Sequence, residues 1–439
     1  MKRLAILTPL VALATTLTCP SVVFAQFAAD DVLLQMQQAS RKQDLRTLTS
    51  LLPAIQGHPL EVWGHYWALK ARLSSATAQE VEDFLQRWRG TYQEDRLRND
   101  WLLLLGQRRN WAEFERLHTE FRMQDDKQLR CYDLAIASIE GRLPQHASTE
   151  LQQLWMGQPA NDDGCTYAAS TLYAAEQLPA LAVWQRARLG AERNQLSTAR
   201  NALTIVAPQH VDALAGLFKS PQAYLSNPKT TPPPALATLA LVRLASSDPD
   251  QAAQLLRTRW QQSLSAEEQH WVWGMIGKVA ARRLSDNALD YFAQVKQLTD
   301  LNDDSLAWLA RAALRAGQWD KVQRAIAAMS PAQQQDSTWV YWQARALLTQ
   351  GTPADQARAQ ALLGSIAGVD GFYEQLAAED LGQAVLPPPE PQPPTAEEIA
   401  RAHANPGLTR ALYAIRIGLR SEGVREWNYA TNLHQPGGM

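Results

Sequence analysis

The side chains able to do chemistry are spread thinly along the 439 residues. The eight histidines (His58, His65, His118, His146, His210, His270, His403 and His434) never fall in a His-Glu-x-x-His pattern or at another metal-ligand spacing, so no metal ligand is assigned. Adjacent acids occur at Asp162-Asp163, Asp303-Asp304, Glu379-Asp380 and Glu397-Glu398. Consecutive helical residues diverge by about 100°, so such pairs do not converge on one substrate atom. They read as solvated surface, with Asp162-Asp163-Gly164 as a turn. No phosphate-cradling Gly-rich loop, dinucleotide fingerprint or Gly-x-Ser-x-Gly elbow occurs. No catalytic residue and no cofactor site is assigned.

The first 25 residues set the compartment. Lys2 and Arg3 precede an apolar run over residues 4–17, and Val23 and Ala25 supply the aliphatic and small residues that a signal peptidase reads, so cleavage is expected between Ala25 and Gln26. A run this short, interrupted by Pro9 and followed by Pro20, is unsuited to a spanning helix. Thr16-Leu17-Thr18 before Cys19 is a poor lipidation signal. The expectation is export to the periplasm without stable membrane insertion. Loss of Lys2 and Arg3 leaves 40 basic against 44 acidic residues, which excludes a net attraction to nucleic acid.

Export gives the remaining cysteines their meaning. In an oxidising compartment Cys131 and Cys165 most simply pair with each other, which would stabilise the fold by about 3–4 kcal/mol. Two buried free thiols are the alternative. A redox site is not expected, because no Cys-x-x-Cys pair is present.

The elements that must position these residues are helices. Ala, Leu, Gln and Arg dominate and β-type alternation is scarce. From Asp30 to about Leu386 the pattern is helix, short break, helix, with joints at Lys42-Gln43-Asp44, Arg109-Asn110-Trp111 and Gly317-Gln318-Trp319. A lone helical hairpin cannot bury both faces, so the expected class is all-α, an irregular α-solenoid of hairpins. "SNPKTTPPP" (226–234) reads as a loop and "LPPPEPQPP" (386–394) as a polyproline spacer. Beyond it, Thr395 with Glu398 forms a capping box. The domain reading is therefore 1–25 signal peptide, 26–385 superhelical domain, 386–394 linker and 395–439 a short helical segment. Trp427 and Tyr429 look like anchors for helices not included here, and Gly437-Gly438 like a turn into them, so exposed aromatics and poor order are expected there. The fifteen tryptophans read as knobs between helices, Trp101, Trp111, Trp308 and Trp319 being examples.

Two segments carry a resemblance. "STWVYWQARALLTQG" contributes Trp339, Tyr341 and Trp342, and "GFYEQLAAEDLG" contributes Gly371, Phe372 and Tyr373. In this order and separation they resemble the Trp-x-Tyr-Trp and Gly-Phe-Tyr segments of soluble lytic murein transglycosylases. "HPLEVWGHYWALKARL" (58–73) resembles an early helix of that family, and the two cysteines fall where its members carry a pair. The resemblance implies a U-shaped superhelix, a smaller helical linker domain, and a lysozyme-like domain that cleaves the MurNAc–GlcNAc β-1,4 bond of peptidoglycan with 1,6-anhydro product and no cofactor. The family's Glu-Ser, Gly-Leu-Met-Gln and Ala-Tyr-Asn-Ala-Gly signatures do not occur in these residues. The chain is thus expected to be the non-catalytic scaffold and the truncated start of the linker domain, with peptidoglycan glycan strands, and proteins of cell-wall synthesis, as partners. The alternative is a free-standing periplasmic helical-repeat adaptor for protein docking.

Overall fold

A computed structural model describes residues 21–227, 231–386 and 390–432. Among the described residues the regular elements are twenty-six α-helices with a few 3-10 or π turns, and no strand. The all-α class and its construction from helical hairpins are as expected. None of these helices is long and apolar enough to cross a membrane. Most of the leader, with Cys19, lies outside the described residues. The helix Ser21–Arg41 runs through Ala25 and Gln26.

One hairpin shows how local sequence builds the fold. In the helix Asp303–Arg315, the Asn302 side chain accepts from the Ser305 N–H at 2.8 Å and caps the first turn. Asp303 and Asp304 in the first turn and Arg315 in the last complement the helix dipole. Leu306, Leu309, Ala310 and Ala313 are buried along one stripe. The helix ends at Gly317, whose φ of 65° lets the Gln318 N–H reach back to the Ala313 carbonyl at 2.9 Å. The partner helix Trp319–Ala327 then buries Val322, Ala325 and Ile326. Replacing Gly317 by a β-branched residue would strain that turn by roughly 1–2 kcal/mol.

The other sequence-marked joints use the same device without glycine. Gln43 and Arg109 take φ of 55° and 58°, and the next N–H bonds five residues back, Asp44 to Ala39 and Asn110 to Leu105. The helices are irregular in length, from the 4-residue Pro331–Gln334 to the 21-residue Ser21–Arg41. The proline-rich stretches are non-helical at residues 227, 231–233, 386 and 390–394. The ends of the expected 226–234 loop are helical: Ser226 closes the helix Pro221–Ser226 and Pro234 opens Pro234–Ala245, where proline suits the first turn.

The helices gather into two compact units. One comprises the chain up to Leu129 with everything from Pro393 onward, and the other comprises Arg130–Gln392. The second crossing coincides with the proline-rich stretch. The first falls inside the helix Lys127–Ile139, where nothing in the sequence marks a boundary.

In the Arg130–Gln392 unit one apolar cluster runs from Cys131 to Ala346. Trp155 and Trp260 are each 1% exposed, and Trp308 and Trp319 pack against the cluster, so these rings are knobs between helices. Burying each large apolar side chain contributes about 1.5–3 kcal/mol. Cys131 and Cys165 form a disulfide inside this core. Asp162-Asp163-Gly164 is a helix start and not the expected turn: Asp162 caps Asp163–Ala174 by accepting from the Cys165 N–H at 2.6 Å. The cap satisfies an amide that the buried cysteine could not expose to water.

In the unit of terminal segments, the helices Ala396–Ala404, Pro406–Arg416 and Arg420–Asn432 follow the spacer. Thr395 caps the first, forming the expected box with Glu398. Gly423 lets the last two helices close up: a Cβ there would stand 2.5 Å from the Ala411 carbonyl oxygen. The expectation of exposed aromatics at the chain's end holds for Trp427 and is corrected for Tyr429, which is half-buried. Glu422, Glu426 and Tyr429 share one helical face, which packs on the first helices of the chain, while Trp427 points elsewhere and is 39% exposed. Residues 433–439, including Gly437-Gly438, lie outside the described residues.

Candidate functional site

The seam of the terminal unit is built from charge. Glu426, with 0% exposure, accepts from Trp63 Nε1 at 3.1 Å, Gln93 Nε2 at 2.9 Å and Arg410 Nε at 2.5 Å. A carboxylate so enclosed and held by three donors from three segments is an anchor. Around it, Gln37 donates to Glu422 at 3.1 Å. Asp30 accepts from the Tyr413 hydroxyl at 2.8 Å and lies 2.9 Å from His58 Nε2. Because the Leu60 N–H occupies His58 Nδ1 at 3.0 Å, the imidazole proton sits on Nε2 and points at Asp30.

A second carboxylate pair supports the same seam. Glu94 accepts from Arg98 at 2.5 Å and from Arg122, and Asp95 accepts from the Arg122 and Met123 N–H groups at 3.0 and 2.9 Å. Burial pushes the Asp95 carboxyl above its ordinary range, against the pull of those amides and of Arg122. Arg122 Nε also donates to the Tyr429 hydroxyl at 2.7 Å, and Tyr429 stands edge-on to Tyr92 at 5.8 Å. Burial first, and then Asp95, push the Tyr429 phenol up to about 12 despite Arg122.

Beside this seam opens a cavity of about 630 Å³, whose lining includes Arg89, Arg122, Arg401, Arg410, Tyr92, Tyr429 and Glu426. Its size falls in the range of roughly 300–1,000 Å³ typical of ligand clefts. The sequence held no pattern that marks it, because its arginines come from four separate segments.

In the other unit the structure brings the two sequence-marked segments together. Trp342, on the helix Ser337–Gln350, donates from Nε1 to the Tyr373 hydroxyl at 3.4 Å. Tyr341 packs against Tyr373 at 5.5 Å and donates to Asp380 at 3.1 Å. Gly371 caps the helix Phe372–Asp380 in extended backbone. Phe372 meets Tyr373 edge-on at 5.2 Å yet is 70% exposed, so one aromatic face is offered to solvent. Trp339 instead is buried, donating to Gln333 at 3.2 Å beneath the Arg311 guanidinium.

The remaining acid pairs are structural. Asp303 accepts from the Ser330 N–H and hydroxyl at 2.8 and 2.7 Å, Asp304 pairs with Lys278, and Asp380 with Arg345 at 2.8 Å. Among the described residues no cluster of His, Cys, Asp or Glu could hold a metal ion.

No protein-family model matches the chain, and no curated protein matches it by sequence. Solved structures do match. An inactive mutant of lytic transglycosylase Slt from Pseudomonas aeruginosa aligns with 92% of this chain and 66% of its own, at TM-score 0.54 and 24% identity. The 70 kDa soluble lytic transglycosylase from Escherichia coli aligns with 93% of this chain and 66% of its own, at TM-score 0.50 and 18% identity. The chain has the fold of the soluble lytic transglycosylases. It spans just under two thirds of the length of these structures.

Proposed function

We propose that the chain is the helical scaffold of a periplasmic lytic transglycosylase, exported by its leader, and that these residues hold peptidoglycan glycan strands during cell-wall turnover without cleaving them. The observation that carries this reading is the fold likeness over 92% of the chain to a lytic transglycosylase. The convergence of Trp342 and Tyr373, from the two segments that resemble the family, supports it. The buried carboxylates Glu426 and Glu94 are engaged by structural donors and are read as anchors rather than as an acid and base.

Phe372 is assigned as a sugar-stacking face, because a 70% exposed ring fixed by Tyr373 costs little ordering entropy on binding. Incubation with purified murein sacculi tests both parts. The chain should sediment with murein and release no anhydro-muropeptides. Phe372→Ala should lower retention by about 3- to 10-fold with an unchanged melting temperature. Release of anhydro-muropeptides by the chain alone, or no sedimentation with murein, would sink the reading.

A further inference from the structure

We propose that the arginine-lined cavity of the terminal unit is a binding site for a short acidic peptide bearing at least two carboxylates. Two of its guanidiniums are already committed, Arg410 to Glu426 at 2.5 Å and Arg122 to Glu94. The other two, Arg89 and Arg401, line the same cavity, are exposed, and make no hydrogen bond or ion pair among the described residues, Arg401 having only a longer-range attraction to the exposed Glu398 on its own helix. They belong to different segments: Arg89 precedes the helix Tyr92–Gln107, and Arg401 lies on Ala396–Ala404. Guanidiniums not held in an ion pair therefore line the cavity from two separate segments.

Size and wall chemistry choose the ligand. A volume of about 630 Å³ is far more than one inorganic anion fills. Tyr92 and Tyr429 give the wall an apolar surface beside the charges, which suits an extended body carrying separated anionic groups. The planar fork of arginine pairs bidentately with carboxylate, and the cavity's own lining already holds one guanidinium–carboxylate pair, Arg410 with Glu426. The choice of a peptide carboxylate as ligand rests on the scaffold reading, because peptidoglycan strands carry short acidic peptides. The site itself rests only on the cavity and its free arginines.

Calorimetric titration of the full chain separates the possibilities with four probes: a disaccharide bearing an acidic tetrapeptide, the same disaccharide without peptide, the free peptide, and inorganic phosphate. The two peptide-bearing probes should bind alike, and the bare disaccharide and phosphate at least about tenfold more weakly. Arg89→Ala/Arg401→Ala should weaken peptide binding about tenfold or more without changing the melting temperature, since both side chains are exposed and unpaired. Charge reversal, Arg89→Glu/Arg401→Glu, should abolish it. Peptide affinity untouched by either double variant, or phosphate binding as tight as peptide, overturns the site. Peptide binding lost in the variants, with no retention on sacculi, keeps the site and sinks the scaffold reading. Retention on sacculi with peptide binding insensitive to the variants does the reverse.

Discussion

The two units solve the problem of burial in opposite ways. In Arg130–Gln392 the core is Ala, Leu and Trp, and its buried charged groups are the cations Arg186, Arg188 and Lys278. In the terminal unit the buried groups include Glu61, Glu94, Asp95, Glu422 and Glu426, and no buried carboxylate is found in the other unit among the described residues. Reach differs as sharply. Side-chain hydrogen bonds in the hairpin unit join residues one to a few hairpins apart, such as Ser330 to Asp303 over 27 positions, Tyr341 to Asp380 over 39 and Lys278 to Glu192 over 86. The seam joins Arg122 to Tyr429 over 307 positions and Gln37 to Glu422 over 385. Stacked hairpins need only their neighbours, so non-directional apolar burial suffices. Bringing distant segments into register calls for directional partners that a wrong pairing would leave unsatisfied.

Removing Glu426 should break the comparison most visibly. Glu426→Ala strips a buried acceptor from Trp63, Gln93 and Arg410 and should cost about 3–5 kcal/mol. In hydrogen-exchange mass spectrometry, protection should fall in residues 406–432 and 61–71 and hold in 130–392. Equal loss in both units would mean that the seam is not a separate device. Glu426→Gln should cost less, because an amide oxygen can still accept from Trp63 or Gln93.

The reciprocal experiment acts on the hairpin unit. Cys131→Ala/Cys165→Ala should destabilise it by about 3 kcal/mol, seen as lost protection in residues 130–206 while the seam keeps its own. A variant with unchanged stability in both units would show the disulfide to be redundant with the packing around it.

The smallest effect concerns acid. Arg72 first, and then Thr77, hold the Glu80 carboxyl down to about 2, below its ordinary value of 4.5. A carboxylate with a lowered folded pKa stabilises fully above its unfolded value and loses that contribution as pH falls through the folded value. Exchange protection of the Ala78–Arg87 helix should therefore decline between pH 4.5 and about 2. Glu80→Gln should flatten the slope over that window. A slope unchanged by the substitution would remove Glu80 as its source.

Much of this was legible in the residues, and the reasons are local. The joints at Gln43, Arg109 and Gly317 stand where a helical stripe is interrupted, and each turns through one left-handed residue. The capping box at Thr395 and Glu398 spans three positions and needs nothing else. The seam was not legible, because glutamates on a helix look alike whether they face water or a partner hundreds of residues away. One signal was present: Leu419, Glu422, Gly423 and Glu426 form a single face whose glycine admits close packing. Reading Trp427 as the anchor gave weight to the aromatic residue and overlooked the polar face beside it.

Composition and periodicity by themselves determined the all-α class and the hairpin construction, because helix formation and neighbour stacking depend on residues within about forty positions of one another. Only the tertiary structure decided that the segment after the proline-rich spacer packs on the first helices, that Trp342 meets Tyr373, and that arginines from four segments line one cavity. Those outcomes depend on which distant groups satisfy one another's buried charge and hydrogen bonds, and no local pattern encodes that choice.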